Sequence, residues 1–338
     1  MKIFGFSTIF SAICLILGWI WGGWMALYIL FILAILEISL SFDNAVVNAR
    51  VLRTMSHFWQ QLFLTVGILI AVFGMRLVFP IAIVAFAIGR DWSYVVDLAL
   101  NDPELYSQYL QASHVTIASF GGMFLLMVSL YFLFDEEKEI HWLKWIEAPL
   151  ARMGKVTAIQ VMIAMSILLV ISRFLPQDVR LSALFAGMIG ILLYVVINGL
   201  DSFISVLTGK DINSTGAAAR SGFVAFLYLE VLDASFSLDG VIGAFALTRD
   251  VVVIMLGLAI GAVFVRSITI MLVRKGTLSE FIYLEHGAHY AIAALGVTLL
   301  LSALWHVPEW ITGSGGVILI MLAFLSSLHH RKRNQTKS

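Results

Sequence analysis

Long apolar runs separated by short polar breaks organise the chain. A membrane-crossing helix needs roughly 20 mainly apolar residues. Ten stretches qualify: about 4–22, 24–49, 58–89, 112–134, 157–175, 180–206, 219–248, 251–273, 286–304 and 314–330. The third is too long for one simple crossing. It holds Pro80, which predicts a kink or a short broken extension. The expected fold class is all-α, a polytopic helical membrane protein of about ten transmembrane helices.

Composition agrees. Of 338 residues, 61% are hydrophobic and 12% charged, and the mean hydropathy is +0.97. A water-soluble fold is usually about 45–50% apolar and roughly 25% charged. The net charge is zero, and no basic stripe interleaved with aromatics points to nucleic acid. Cys14 is the only cysteine, which excludes intrachain disulfides and cysteine zinc sites. Lys2 and the apolar run after it resemble a signal peptide. No small-residue cleavage site follows, so a retained first helix is expected.

Charge sets the expected orientation. With ten crossings, both termini share a side. Arg90, Arg173, Arg180 and Arg249 then face outward, and most other Lys and Arg residues face inward. The positive-inside rule therefore predicts cytoplasmic termini. The loop 90–111, with Asp91, Asp97, Asp102 and Glu104, suits the outside. The mixed-charge loop 135–155 reads as cytoplasmic, with Trp142 and Trp145 anchoring an interfacial helix. The basic tail 331–338 suits an anionic lipid face.

An internal repeat carries the chemistry. Residues 37–44 read E-I-S-L-S-F-D-N, and residues 233–240 read D-A-S-F-S-L-D-G. A second echo pairs H-V-T-I-A-S-F-G at 114–121 with H-Y-A-I-A-A-L-G at 289–296. Between the two motifs of each set lies a span with one arginine, Arg76 or Arg266. The division falls at residues 1–175 and 176–330. Five spans in each part give the two parts opposite topology, the plan of two inverted five-helix repeats.

Glu37, Asp43, Glu230, Asp233 and Asp239 all lie within spans. A charge at the bilayer centre costs about 2.5–3.5 kcal/mol on insertion scales. Arg76 and Arg266 offset two of the five, so a cation site is the expected use of the rest. Carboxylate, amide, hydroxyl and carbonyl oxygens suit hard ions such as Mg, Ca or Mn. Asp43 and Asp239 each stand about 9 Å along the helix from Glu37 and Asp233. Residues six apart differ by about 240° and share no face of a regular helix. Unwinding at Ser39–Asn44 and Ser235–Gly240 is therefore expected, giving broken helices that carry the acidic motifs.

The expected metal set is Asp43, Asp239, Glu37, Asp233, Asn44 and Glu230, supported by Ser41 and Ser237. Arg76 and Arg266 read as counter-ions. His114 and His289 are either proton carriers or hydrogen-bonded structural residues. Asn198 and Asp201 are either an access path or a helix end at the interface. Glu285-His286 with His289 lacks the H-E-x-x-H order of a metalloprotease.

At the two acidic motifs, Glu37–Asn44 and Asp233–Gly240 with Val241-Ile242, the chain resembles the TerC family of integral membrane proteins. The stretch F-G-G-M-F-L-L-M at 120–127 adds to the likeness, which covers most of residues 25–305. The resemblance implies export of divalent metal, chiefly manganese, across the bacterial inner membrane. It implies ion binding by Asp43 and Asp239, assisted by Asn44 and the neighbouring acids. The leading expectation is thus a secondary exporter of Mn²⁺ that is not an enzyme and carries no resident cofactor, with proton coupling open. No nucleotide-binding loop is present. Two alternatives stand beside it: an intramembrane aspartyl protease, and a membrane scaffold for a metal or tellurite stress-response complex. The oligomeric state is not readable from the residues.

Overall fold

The computed structural model describes residues 3–156, 158–208, 217–274, 281–305, 307 and 309–335. Among these the chain is helical, with no strand. The helices are α1 (Gly5–Leu40), α2 (Phe42–Thr54), α3 (His57–Leu69), a π-helical stretch (Ile70–Val78), α4 (Phe79–Ile88), α5 (Trp92–Asn101), α6 (Pro103–Ala112) and α7 (His114–Leu133). They continue with α8 (Lys144–Met153), α9 (Ile159–Phe174), α10 (Gln177–Thr208), α11 (Ala217–Leu247), α12 (Val251–Arg274), α13 (Leu284–Ser302) and α14 (Glu309–Gln335).

The helix α1 is a hairpin. Its helical angles fail at Gly22 (φ −136°, ψ 18°) and Gly23 (φ 65°, ψ −151°). A positive φ of this kind suits glycine alone. Ser7 hydrogen-bonds the Val263 carbonyl, while Glu37 lies against Gly261. In a straight helix Ser7 and Glu37 would be about 45 Å apart, so the chain must fold back for both to meet α12. The two arms correspond to the first two apolar stretches of the sequence.

Among the described residues, six helical segments are long and apolar enough to cross a membrane: Gly5–Ser39, His57–Phe86, His114–Leu133, Gln177–Leu200, Val251–Arg274 and Leu284–Ser302. Such a set marks a multi-pass membrane protein. The helix α11 has the length, at 31 residues, but its acids interrupt the apolar run. The apolar helix α9 has 16 residues, short of a full crossing.

One local expectation is corrected and one takes a different form. Near Pro80 the helix changes character: the π-helical stretch Ile70–Val78 precedes it, and Pro80 sits in the first turn of α4, where its missing N–H has little consequence. The second acidic motif is not unwound, because α11 runs unbroken through 235–240. The first motif does break. Ser41 separates α1 from α2 with φ −102° and ψ 15°.

The loops also hold more structure than their sequences suggest. The loop 90–111 forms α5 and α6, whose Val95, Leu98, Tyr106 and Leu110 pack with Ile81, Val84 and Phe245. In the 135–155 loop, α8 forms as expected and Trp145 is 78% exposed. Yet Glu147 of α8 is fully buried, ion-paired to Lys138 at 3.1 Å and 3.4 Å from His286 Nε2. That contact docks the loop on α13.

Two apolar clusters organise the bundle. One gathers the start of α2 with α7, α9, α10 and α13. The other gathers α1, α4, α5, α6, α12 and the end of α11. The helices α7 and α13 cross antiparallel: His114 meets Ser302, Gly122 meets Gly296, and Phe132 stacks on His289. A Cβ on Gly122 would lie 3.1 Å from the Gly296 carbonyl oxygen. Small residues at such a crossing let backbones approach in a membrane. The two segments of the histidine echo thus lie on partner helices. The acidic motifs sit at the seam between the apolar clusters.

Candidate functional site

Burial of charge builds this site. Glu37, at the end of α1, is 2% exposed. It is ion-paired to Arg76 in the π-helical stretch. Ser41, at the break before α2, donates to Glu37 Oε1 at 3.0 Å. The second guanidinium nitrogen of Arg76 donates to the Ala71 carbonyl at 2.6 Å. A π-turn widens the helix and is often found at functional sites. Here it carries the arginine that answers Glu37.

Asp233, on α11, accepts a hydrogen bond from Asn44 Nδ2 at 2.5 Å. Arg266, on α12, donates to the Phe63 carbonyl and lies 5.1 Å from the centroid of the Phe63 ring. It forms no ion pair among the described residues. Glu230 lies one helical turn before Asp233 and is 6% exposed. Neither of its carboxylate oxygens has a hydrogen-bond partner among the described residues. Ser237 Oγ is likewise buried without one.

Reciprocal contacts join the two motifs. Asn44 of the first bonds Asp233 of the second. Gly240 of the second lies so close to Glu37 that a Cβ there would stand 2.7 Å from Oε2. One offset along the chain relates Glu37 to Asp233 and Asn44 to Gly240. The two contacts are therefore the same contact with the motifs exchanged. Gly261 of α12 closes on the Glu37 stem from the other side.

A small cavity of about 30 Å³ lies among these groups. Its polar lining is Ser41, Asn44, Asn48, Arg76, Asp233, Arg266 and Thr269. A cavity needs roughly 10–15 Å³ on this measure to hold one water, so it has room for one or two waters or a small ion. Asn48 escaped the sequence reading. It stands one helical turn after Asn44, and that i, i+4 spacing was the available signal. The wall supplied by Phe63, Gly67 and Val265 carries no sequence signal of its own.

The structure thus brings together Glu37, Ser41, Asn44, Arg76, Asp233 and Arg266, with Glu230 and Ser237 on the same helix as Asp233. The Asp43 and Asp239 side chains lie outside the described residues, as does that of Asp201; their backbones belong to α2, α11 and α10. Among the described residues no group of three or more His, Cys, Asp or Glu is placed to hold a metal ion. The histidines do not join the cluster. His114 approaches Ser302 Oγ at 3.4 Å. His289 stacks on Phe132, with ring centroids 3.9 Å apart, and bonds the Glu285 carbonyl at 2.9 Å. Asn198 lines a separate open vestibule together with His289.

No curated protein and no solved structure matches this chain. Residues 42–334 match the family described as "Protein of unknown function (DUF475)", a span that holds both acidic motifs apart from the first part of 37–44, and the chain belongs to that family.

Proposed function

We propose that this protein is a secondary transporter that exports a divalent metal cation, Mn²⁺ foremost, from the cytoplasm across the bacterial inner membrane. The observation that carries this reading is the exchange of contacts between the motifs, Asn44 to Asp233 and Gly240 to Glu37, around a polar cavity. Two halves of opposite topology that meet at the membrane midplane would produce such an exchange. Rocking one half against the other would then expose the same groups to either side in turn.

The chemistry of the lining supports a cation. Glu37, Glu230 and Asp233 outnumber Arg76 and Arg266, and Asp43 and Asp239 add two further carboxyls on α2 and α11. Ser41, Asn44 and Asn48 offer only hard donor oxygens, which suit Mn²⁺ or Ca²⁺ better than a soft metal. The motif resemblance to the TerC family points the same way. Protons are a fitting counter-substrate, because protonated carboxylates release metal.

The test is metal-resolved transport in proteoliposomes. Asp43→Asn, Asp239→Asn and Asp233→Asn should each lower Mn²⁺ movement at least about tenfold, the equivalent of roughly 1.4 kcal/mol, while remaining folded. Well-folded wild type that moves none of Mn²⁺, Ca²⁺, Mg²⁺, Co²⁺ or Zn²⁺ would sink the reading.

A further inference from the structure

A second cavity, a vestibule of about 510 Å³, opens beside the candidate site. It lies where α2 and α11 leave that site. Arg50 is six residues past Asn44, and Tyr228 is five residues before Asp233. Each step is about 8–9 Å along a helix.

Acids outnumber bases in its lining. The exposed Asp135, Glu136 and Glu137 stand against one basic residue, Arg50. The basic groups nearby are already engaged: Arg50 is paired with Glu285 at 2.6 Å, and Lys138 with Glu147 at 3.1 Å. The three carboxylates have no ion-pair partner among the described residues.

Its wall offers unpartnered polar atoms. His289 is 6% exposed and lines the vestibule. Its Nδ1 faces the Glu285 carbonyl at 2.9 Å, and a carbonyl can only accept, so Nδ1 carries the proton. The neutral ring then holds its lone pair on Nε2, which has no partner among the described residues. Fixing one ring nitrogen on a carbonyl is how proteins prepare the other for a cation or its water. Tyr194 is also 6% exposed and lines the vestibule, and its phenol oxygen has no hydrogen-bond partner among the described residues.

We infer that this vestibule is the loading chamber for a hydrated divalent cation. There the acidic mouth gathers the ion, and His289 and Tyr194 hold its water shell. The inference rests on the transport reading above and assigns the step before the inner site. Size separates the two steps. Six waters need about 60–90 Å³ on the same measure, at roughly 10–15 Å³ each, which fits the vestibule and not the inner cavity of about 30 Å³. The ion must therefore shed water between them. Mg²⁺ sheds water reluctantly, so it should enter the chamber and stall there, competing with Mn²⁺ without being carried.

The experiment measures initial Mn²⁺ uptake into proteoliposomes from the vestibule side at low ionic strength. It compares wild type, the triple variant Asp135→Asn/Glu136→Gln/Glu137→Gln, and Glu139→Gln, an exposed acid of the same loop outside the chamber. The triple variant should raise the half-saturating Mn²⁺ concentration about tenfold with an unchanged maximal rate. Focusing by charged clefts raises on-rates by about 10–10³. The gap should close in about 0.5 M salt, where the screening length falls below about 5 Å. Glu139→Gln should match wild type. Active wild type with an unchanged triple variant, or an equal effect from Glu139→Gln, overturns the chamber alone. Wild type that carries no cation overturns the transport reading and the chamber with it.

Discussion

The two acidic motifs share a pattern and differ in how their charges are answered. Glu37 is held by Arg76 and by Ser41. Asp233 occupies the equivalent position but is bonded by Asn44 of the other motif, while Arg266 turns to the Phe63 carbonyl. The serines repeat the contrast. Ser39 and Ser235 both bond the carbonyl four residues back. Ser41 serves its own motif's acid, and its counterpart Ser237 has no partner among the described residues. The backbone differs as well, broken at Ser41 and continuous through Ser237. One motif is thus closed on itself, and the other presents its charge to the cavity. In a transporter of inverted halves, the opposite conformation would exchange these roles.

The largest expected effect follows from removing the arginines. Arg76→Met strands Glu37, a buried charge, and breaking one partner of such a pair costs about 3–5 kcal/mol. Arg266→Met removes one hydrogen bond from a charged donor, worth about 1.5–3 kcal/mol. Thermal unfolding in detergent should therefore show the deeper loss for Arg76→Met. Adding Glu37→Gln to that variant should restore most of it. Equal losses for the two arginines would erase the difference between the motifs.

Much of this contrast was beyond the reach of the sequence. The repeated acid, serine and aspartate spacing pointed to the segments that meet here, but of the two lone arginines only Arg76 pairs with an acid among the described residues. Apolar run length found the break in α1 at Gly22–Gly23, but of the ten expected spans six described segments are long and apolar enough to cross a membrane. What failed were features decided by packing. Proline signalled a local irregularity, but not that it would be a π-helical stretch carrying the buried Arg76. Unwinding was expected of both motifs from one helical-wheel argument, yet only the one with the Ser41 break adopts it. Asn44 reaching Asp233 is a contact between distant segments, which local patterns cannot encode. The burial of Glu147 within the mixed-charge loop depends on Lys138 and His286, which come from outside its own helix.

A middle-sized effect should come from the glycines that close on each acid. A Cβ on Gly261 would collide with the Glu37 stem, which Arg76 and Ser41 hold in place. A Cβ on Gly67 would stand 2.7 Å from Glu230 Oε1, the far end of a side chain with no hydrogen-bond partner among the described residues. Overpacking typically costs about 1–3 kcal/mol. Gly261→Ala should reach that range in a detergent unfolding assay, and Gly67→Ala should fall below about 1 kcal/mol. A reversal would mean that Glu230, not Glu37, is the rigid acid.

The smallest change in stability belongs to the neutral isostere Glu230→Gln, and its sharpest comparison is with Glu37→Gln. Glu37→Gln leaves the Arg76 guanidinium buried without its counter-charge and should destabilise by about 3 kcal/mol. Glu230→Gln removes a buried charge that no described hydrogen bond supports. Burying an ion without a partner is unfavourable, so this variant should unfold within about 1 kcal/mol of wild type or slightly above it. Its transport should nonetheless fall, because a carboxylate beside Asp233 with no hydrogen bond among the described residues is well placed to meet a cation. Unchanged stability with lost Mn²⁺ movement would assign Glu230 to the ion. Unchanged transport would leave it as a buried acid that the fold merely tolerates. A loss of stability as deep as that of Glu37→Gln would show that the two motifs answer their charges alike.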